Sequence, residues 1–405
     1  MTSDANQELF DAALRHQVAL RRYGDRTLKK IREFLEEQDR DLVEQIRPRL
    51  ARILSLKKGQ GARLEELLRE SKRMRDAVNA VLSKRLRSEL FDLSKAEAAH
   101  EKAILTKSVP IEMNVASASV GRLKAVVTSR PFEGRLLREW FQGLNASDKA
   151  NLSQALRLGI ANGEALDNIV KRIVGTRANR YSDGVLSLSR RNAESLVRTA
   201  ITHVSNAARS EVWDANANII WGLRWTSTLD GRTSKICQAR DGDVALIGGS
   251  QKSVPSGTDL LSPQGARPPA HIKCRSLMVA LLSPEGILGD RPFVRDARTP
   301  RQRDVDFAKE AKASAGESWG RMSAAERNRR VAAVRKKWGD ENIGQVPAST
   351  TYEDWIRRQP EEFQDATLGP TRARLFRSGK LSLSEFVDVG GRTRTLDELN
   401  KLMKN

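Results

Sequence analysis

Two thiols and one imidazole are the residues of this chain whose types and spacing could do chemistry. Cys237 and Cys274 are its two cysteines, and His271 precedes Cys274 by three positions in Pro268-Pro269-Ala270-His271-Ile272-Lys273-Cys274-Arg275. A His-x-x-Cys pair joined by a further thiolate suits a tetrahedral zinc ion, with Asp230 or Asp241 as the fourth ligand. Ser234, however, holds the place where a second Cys-x-x-Cys knuckle would pair with Cys237. A Cys237–Cys274 disulfide and a pair of unlinked thiols packed as small hydrophobes are the other two readings. All three stay open at this stage. No cofactor is expected, zinc being the one left open, and Asp230, Pro269 and His271 are expected to pin the loop rather than to react.

Carboxylates beside the same histidine raise a second chemistry. Asp241, Asp243 and His271 could be cast as the metal ligands and general base of a nuclease. The histidine-asparagine-histidine spacing of such enzymes is missing, and the chain has no Gly-rich phosphate loop and no nucleophile-elbow serine. The expectation is a protein that is not an enzyme. The alternative is a metal-dependent, nuclease-like enzyme that processes DNA.

The elements that must position these groups fall within residues 219–282. Trp221 and Trp225 bracket a strand-like run, Gly222 to Thr228, that ends at Asp230-Gly231, an Asp-Gly pair that signals a tight hairpin turn. Arg232 and Cys237 follow, and a second Asp-Gly pair sits at Asp241-Gly242. A loop rich in Gly, Ser and Pro leads to Pro268-Pro269, and Leu277 to Leu282 reads as a buried strand.

The ordered set Trp225-x-Ser227-x-x-Asp230-x-Arg232-Thr233, Cys237, Asp241-Gly242, Pro268-Pro269-x-His271-x-x-Cys274-Arg275 resembles the phage Mu F-like head morphogenesis family, minor head proteins of tailed bacteriophages. The likeness runs over roughly residues 130–282. Where many relatives carry further cysteines, this chain has Ser234 and Ser276. The resemblance assigns structural motif roles to Trp225, Asp230, Arg232, Gly242, Pro269, His271, Cys274 and Arg275. It implies a minor structural protein in few copies beside the portal, acting in head assembly and in DNA packaging or ejection. Its implied partners are the portal protein, other capsid components and the viral genome. Its implied place is the virion head, after assembly in the host cytoplasm. The tail string Tyr352-x-x-Trp355, Gln359-Pro360, Gln364, Leu368-Gly369-Pro370-x-Arg372 is similar to the C-termini of some phage minor head proteins.

Composition agrees with a nucleic-acid neighbourhood. The chain has 405 residues and a formal net charge of +20; residues 51–200 carry +12 and 251–350 carry +7. Spread positive charge attracts polyanions without reading sequence. There is no apolar run long enough to span a membrane and no signal peptide at the N-terminus, so cytoplasmic synthesis is expected.

Helical periodicity dominates elsewhere, so the fold class is mainly α with a small β-element. Residues 1–110 read as a helical hairpin or coiled-coil arm, with Gly24 and Pro48 as interruptions. The core is 130–283: a helical block over 147–215, with Ser147 and Asp148 as a cap, then the β/loop module of 219–282. His203 is expected to be a polar surface or cap-like residue. Residues 284–345 form a basic linker and helix, loop-like over 290–303. There Ser323 and Glu326 make a capping box, and Arg327, Arg329, Arg330, Arg335, Lys336 and Lys337 are candidate contacts to DNA or another polyanion. A small helical unit, 346–405, closes the chain.

Overall fold

The computed structural model describes residues 3–56, 58–109, 113–248, 254–256, 258–261 and 267–403. The chain is mainly α with two small sheets, as its periodicity requires. Helix α1 (Ser3–Ser55) turns through Gly59, at φ 78°, into the antiparallel α2 (Gln60–Ser108). Neither Gly24 nor Pro48 interrupts α1, contrary to the sequence reading. Pro48 lies on the exposed side between buried Ile46 and Leu50, so the carbonyl of Glu44 that loses its helical donor faces water.

The N-terminal hairpin is part of the body. Leu20, Leu28 and Ile31 of α1 with Val78, Leu82 and Leu86 of α2 in one core, and Leu42 and Ile46 with Leu67 and Leu68 in another, pack against the helices that follow. These are α3 (Val120–Thr128), α4 (Leu137–Ala161), α5 (Leu166–Val174, stopped by Gly175) and α6 (Val185–Ala215). Ser147 and Asp148, expected to start a helix, sit inside α4. Asp148 is buried there and accepts from Arg75 Nη2 at 3.0 Å, while Arg75 Nη1 bonds Asp39 at 2.8 Å. The helix-capping residue type is used instead to neutralise a buried guanidinium on another helix.

The β-module continues from α6. Strand β1 (Gly222–Thr226) is followed by β2 (Leu229–Asp230), α7 (Lys235–Arg240), β3 (Val244–Leu246) and β4 (Leu277–Leu281). The first sheet has the order β3-β1-β4, antiparallel throughout, with Trp225 opposite Met278. Asp230-Gly231 does not close a hairpin: β2 belongs to a second sheet and the chain passes on into α7. That second sheet contains β5 (Asp290–Val294), parallel to β2 and antiparallel to a later strand, where a loop was expected.

Helices α8 (Pro300–Ala315) and α9 (Ala324–Asn342), joined by a 3-10 turn, lead from β5 to its partner β6 (Ile343–Pro347). The segment read as a basic linker is therefore a two-helix arm rooted in a strand pair. It buries Phe307 and Ala311 on α8 and nothing on α9. Helices α10 (Tyr352–Arg357), α11 (Glu361–Leu368), α12 (Pro370–Arg377) and α13 (Leu396–Leu402) enclose Trp355, Phe376 and Phe386, and Leu229 of β2 joins that core. The β-module thus lies between the bundle and the C-terminal unit. Its other face rests on Leu9 and Phe10 of α1 and Trp213 of α6.

Candidate functional site: a thiol–imidazole cluster and a carboxylate clamp

Cys237 sits in the short α7 and Cys274 just before β4, and the sheet brings them together. Their sulfurs are 3.6 Å apart, both side chains are buried, and both thiols are free. His271 Nε2 lies 3.3 Å from Cys237 Sγ, and its Nδ1 is 2.9 Å from the Ile272 carbonyl. With Nδ1–H donated to that carbonyl, Nε2 keeps its lone pair for the cluster, the tautomer that a metal-ligating histidine uses. The loop is held to α6: Lys273 N donates to Thr199 Oγ1 at 3.0 Å, and Thr202 Oγ1 donates to the Cys274 carbonyl at 3.4 Å.

The electrostatics give the two sulfurs different roles. The hydrogen bond from Cys237 holds the Cys274 thiol well below its usual range, against burial and with help from His271. The bond to Cys274, with burial, pushes Cys237 up. Burial alone would lower His271, but the hydrogen bond to Cys274 and its charge raise it. Cys274 is thus the sulfur held toward the thiolate, and Cys237 the one that keeps its proton and donates to it. The three donor atoms lie within 4.8 Å of one another. Two sulfurs and one imidazole nitrogen fit zinc, and a metal ion would replace the protons that these groups now share.

Asp230, expected as a fourth ligand, lies outside that set among the described residues. Its oxygens accept from Arg275 Nη1 and Nη2 at 2.6 and 2.7 Å, from Arg232 N and Nη2 at 3.0 and 3.2 Å, and from Thr233 Oγ1 at 3.2 Å. Burial raises its pKa, and the Arg275 bonds and charge more than reverse that, so it stays ionised. Tyr352 Oη donates to the Asp230 carbonyl at 2.8 Å, which ties α10 to the same point. The carboxylate therefore clamps the turn before α7 to the segment after Cys274, and the backbone carbonyl of the same residue ties on the C-terminal unit.

Asp241 is likewise committed. It accepts from Ser227 N at 2.6 Å and from Arg291 Nη1 at 2.8 Å, all three groups being buried. Asp241, Asp243 and His271 do not assemble as a ligand set among the described residues, and the nuclease casting has no geometry behind it. Trp225 is fully buried and donates from Nε1 to Ser227 Oγ at 2.9 Å; Ser227 Oγ in turn donates to the Cys237 carbonyl at 2.7 Å. Gly242, at φ 103°, makes the second turn with a conformation that side chains resist. Pro269 adjoins the cluster loop across a cis bond from Pro268. Parts of the loop between Gly242 and Pro268, at 249–253, 257 and 262–266, lie outside the described residues.

Sequence reasoning missed Arg291, the cation that holds Asp241, because it stands in an apparently irregular Arg-rich stretch. It also misplaced His203. That ring is buried in α6 against Phe132, with centroids 4.9 Å apart. Alternation of apolar types marks a buried stripe but says nothing of a polar residue lying beside it.

The six basic residues of α9 divide into two groups. Arg327 bonds the Trp319 and Gly320 carbonyls, Arg335 pairs with Asp304 of α8, and Lys336 pairs with Asp340. Arg329, Arg330 and Lys337 are exposed and make no ion pair among the described residues.

Fold and site together define a helical scaffold whose small β-module is stapled by buried ion pairs and a soft-ligand cluster. Residues 150–279 match the family model for phage Mu protein F like protein, the family that the ordered motif resembles. The match runs from within α4 to within β4 and takes in the cluster, Asp230 and Arg275; the first helical hairpin and the arm lie outside it. No curated protein and no solved structure matches the chain.

Proposed function

We propose that this is a minor structural protein of a tailed-phage head, placed near the portal, with a part in head assembly and in DNA packaging or ejection. The observation that carries the reading is the family match over residues 150–279, which coincides with the segment held by the Asp230 clamp and the thiol–imidazole cluster. In this reading the central module, the part matched to the family, is the assembly unit, and no reaction is assigned to it. No helix among the described residues is long and apolar enough to cross a membrane. The portal and other capsid components are the protein partners, and packaged DNA is the polyanion that the +20 charge meets.

The DNA contact is assigned to the two-helix arm. Arg329, Arg330 and Lys337 are exposed, make no ion pair among the described residues and stand on a helix that buries nothing, a surface suited to phosphates at any sequence. Two measurements test the proposal. Quantitative gels of purified virions should show the protein in low copy; its absence from the particle overturns the structural reading. DNA affinity of the free protein should fall with salt by a log–log slope of about −0.9 per phosphate contacted. Changing Arg329, Arg330 and Lys337 to Gln should flatten that slope, and an unchanged slope would remove the DNA assignment.

A further inference from the structure

A cleft of about 920 Å³ lies between α1, the start of α6, the start of α8 and the loop of residues 175–184 that joins α5 to α6. Its cations are all arginine, with no lysine: Arg32, Arg40, Arg180, Arg190, Arg191 and Arg301. Glu36, Asp39, Glu44 and Glu194 are the carboxylates there. Arg32 pairs with Glu194 at 2.7 Å and Arg190 pairs with Asp39. Arg40, Arg180, Arg191 and Arg301 are exposed and make no ion pair among the described residues, against only Glu36 and Glu44 left on the acidic side. The cleft therefore keeps an excess of positive charge, carried by the residue whose flat fork pairs with phosphate and lies against aromatic rings.

The loop holds an aromatic ring among these charges. Tyr181 is 49% exposed and lines the cleft beside Arg180. Both residues have left-handed backbone, at φ 49° for Arg180 and 58° for Tyr181. That conformation is costly for a bulky side chain and persists only where its surroundings impose it. Asp183 and two glycines impose it here. Asp183 Oδ1 accepts from Thr176 N at 2.7 Å, and Oδ2 accepts from Thr176 Oγ1 at 2.8 Å and Asn179 Nδ2 at 2.9 Å. A Cβ on Gly175 would stand 2.9 Å from the Tyr181 backbone, and one on Gly184 would strike the Val174 backbone, so the loop is pinched shut at its base. Arg191 Nη1 donates to the Ser182 carbonyl at 2.9 Å, which fixes the loop to α6. The ring is thus held in one place, half in solvent, among unpaired arginines.

We propose that this cleft binds a single strand of nucleic acid, with a base stacked on the Tyr181 ring and neighbouring phosphates on Arg180, Arg191 and Arg301. Aromatic faces set among cations are how proteins hold unpaired strands without reading sequence. The bases of a duplex are already stacked on one another and offer no face to Tyr181, so the cleft suits an open strand. An acidic peptide would satisfy the arginines and leave the ring unused. The proposal deepens the nucleic-acid part of the reading above and rests on it for a partner within reach, but the site is separate from α9 and is tested apart from it.

The full chain tests this by fluorescence anisotropy with a labelled oligothymidylate of about ten nucleotides, a length in the usual range for single-strand sites. Tyr181→Ala is expected to weaken binding about tenfold, and Tyr181→Phe to leave it unchanged, because the ring face is what stacks. Arg301→Glu, on α8, should weaken it by about tenfold as well. That change leaves the loop intact and keeps the test valid if Tyr181→Ala disturbs it. Unlabelled duplex of the same length should compete poorly. The variant with Arg329, Arg330 and Lys337 changed to Gln should bind the single strand as wild type does, so this site and the arm can fail separately. No binding of the oligothymidylate at low salt overturns the proposal, as does equal binding by a folded cleft variant or equal competition by the duplex. Loss of single-strand binding in the arm variant alone would place the strand on α9 and overturn it too. Binding of oligoglutamate instead, lost in the same cleft variants, overturns it in favour of an acidic peptide.

Discussion

Asp230 and Arg275, 45 positions apart, meet side-on in a two-bond ion pair of 2.6 and 2.7 Å. Asp230 is buried while Arg275 keeps part of its guanidinium at the surface. Removing the arginine leaves a buried carboxylate with only Arg232 and Thr233 to hold it. Arg275→Ala is expected to cost about 3 kcal/mol, the scale for breaking a buried pair on one side. Arg275→Lys should recover only part of that, because an ammonium cannot make the paired bonds. Chemical denaturation followed by tryptophan fluorescence measures both; a loss under about 1 kcal/mol for the alanine variant would deny the clamp its role.

The two sulfurs make a prediction about thiol chemistry. Cys274 is the sulfur held toward the thiolate and Cys237 lies 3.6 Å away, so oxidised glutathione should close a disulfide in the folded protein, releasing two equivalents of reduced glutathione. The attacking species is the thiolate, and His271 helps to maintain it. His271→Ala should therefore slow closure most at pH 6 and least at pH 9, as counted by residual thiols. Zinc bound at the cluster should protect both thiols. A rate with the same pH profile in wild type and variant would show that His271 does not act on Cys274.

His203 supplies a pH dependence whose sign follows from its burial. Its folded pKa, about 4, lies below the unfolded value of 6.5. Between those values the unfolded chain binds the extra proton, so stability falls as pH drops from about 6.5 towards 4, by up to roughly 3 kcal/mol at 1.4 kcal/mol per unit. Asp243 works in the opposite sense: burial, then Asp259, raise it to about 7, and its contribution is lost as pH rises to 7. The comparison of wild type with His203→Gln isolates the histidine. The difference in unfolding free energy between the two should change by roughly 2–3 kcal/mol from pH 7 to pH 4.5; a constant difference would mean that the ring is not buried neutral.

The arm should be separable from the core. Val294 of β5 pairs with Ile343 of β6, so the arm leaves and returns at adjacent positions of one ladder. Replacing residues 298–341 by Gly-Asn-Gly, a turn-forming link, is expected to leave the rest of the chain folded, with the midpoint of urea unfolding nearly unchanged. Circular dichroism should lose only the helical signal of α8 and α9. Collapse of the remaining helices would show that the arm supports the core.

Helical regions were legible because burial of one face imposes a 3.6-residue period that survives in the sequence. The helical block, read as ending at 215, ends there with α6 at Ala215, which shows how well that works when a helix is buried along its length. Capping signals divided. Ser323 and Glu326 cap α9 as read, whereas Ser147 and Asp148 do not cap α4. A cap is a local bond between near neighbours, but Asp148 was already claimed by Arg75, 73 positions away.

Residue types and their order marked the site: which residues are rare, which follow the family's order, and that Cys237, His271 and Cys274 were candidates for one cluster. Periodicity and turn residues also determined that helices dominate and that a small β-module interrupts them. Tertiary structure alone decided which charges pair. Asp230 went to Arg275 instead of to a metal, Asp241 went to Arg291 of an unread strand, and β2 left its hairpin to join β5. Partners of that kind are chosen by which surfaces burial forces together, and a buried carboxylate takes whichever cation the packing delivers. Spacing along the chain carries no record of that choice.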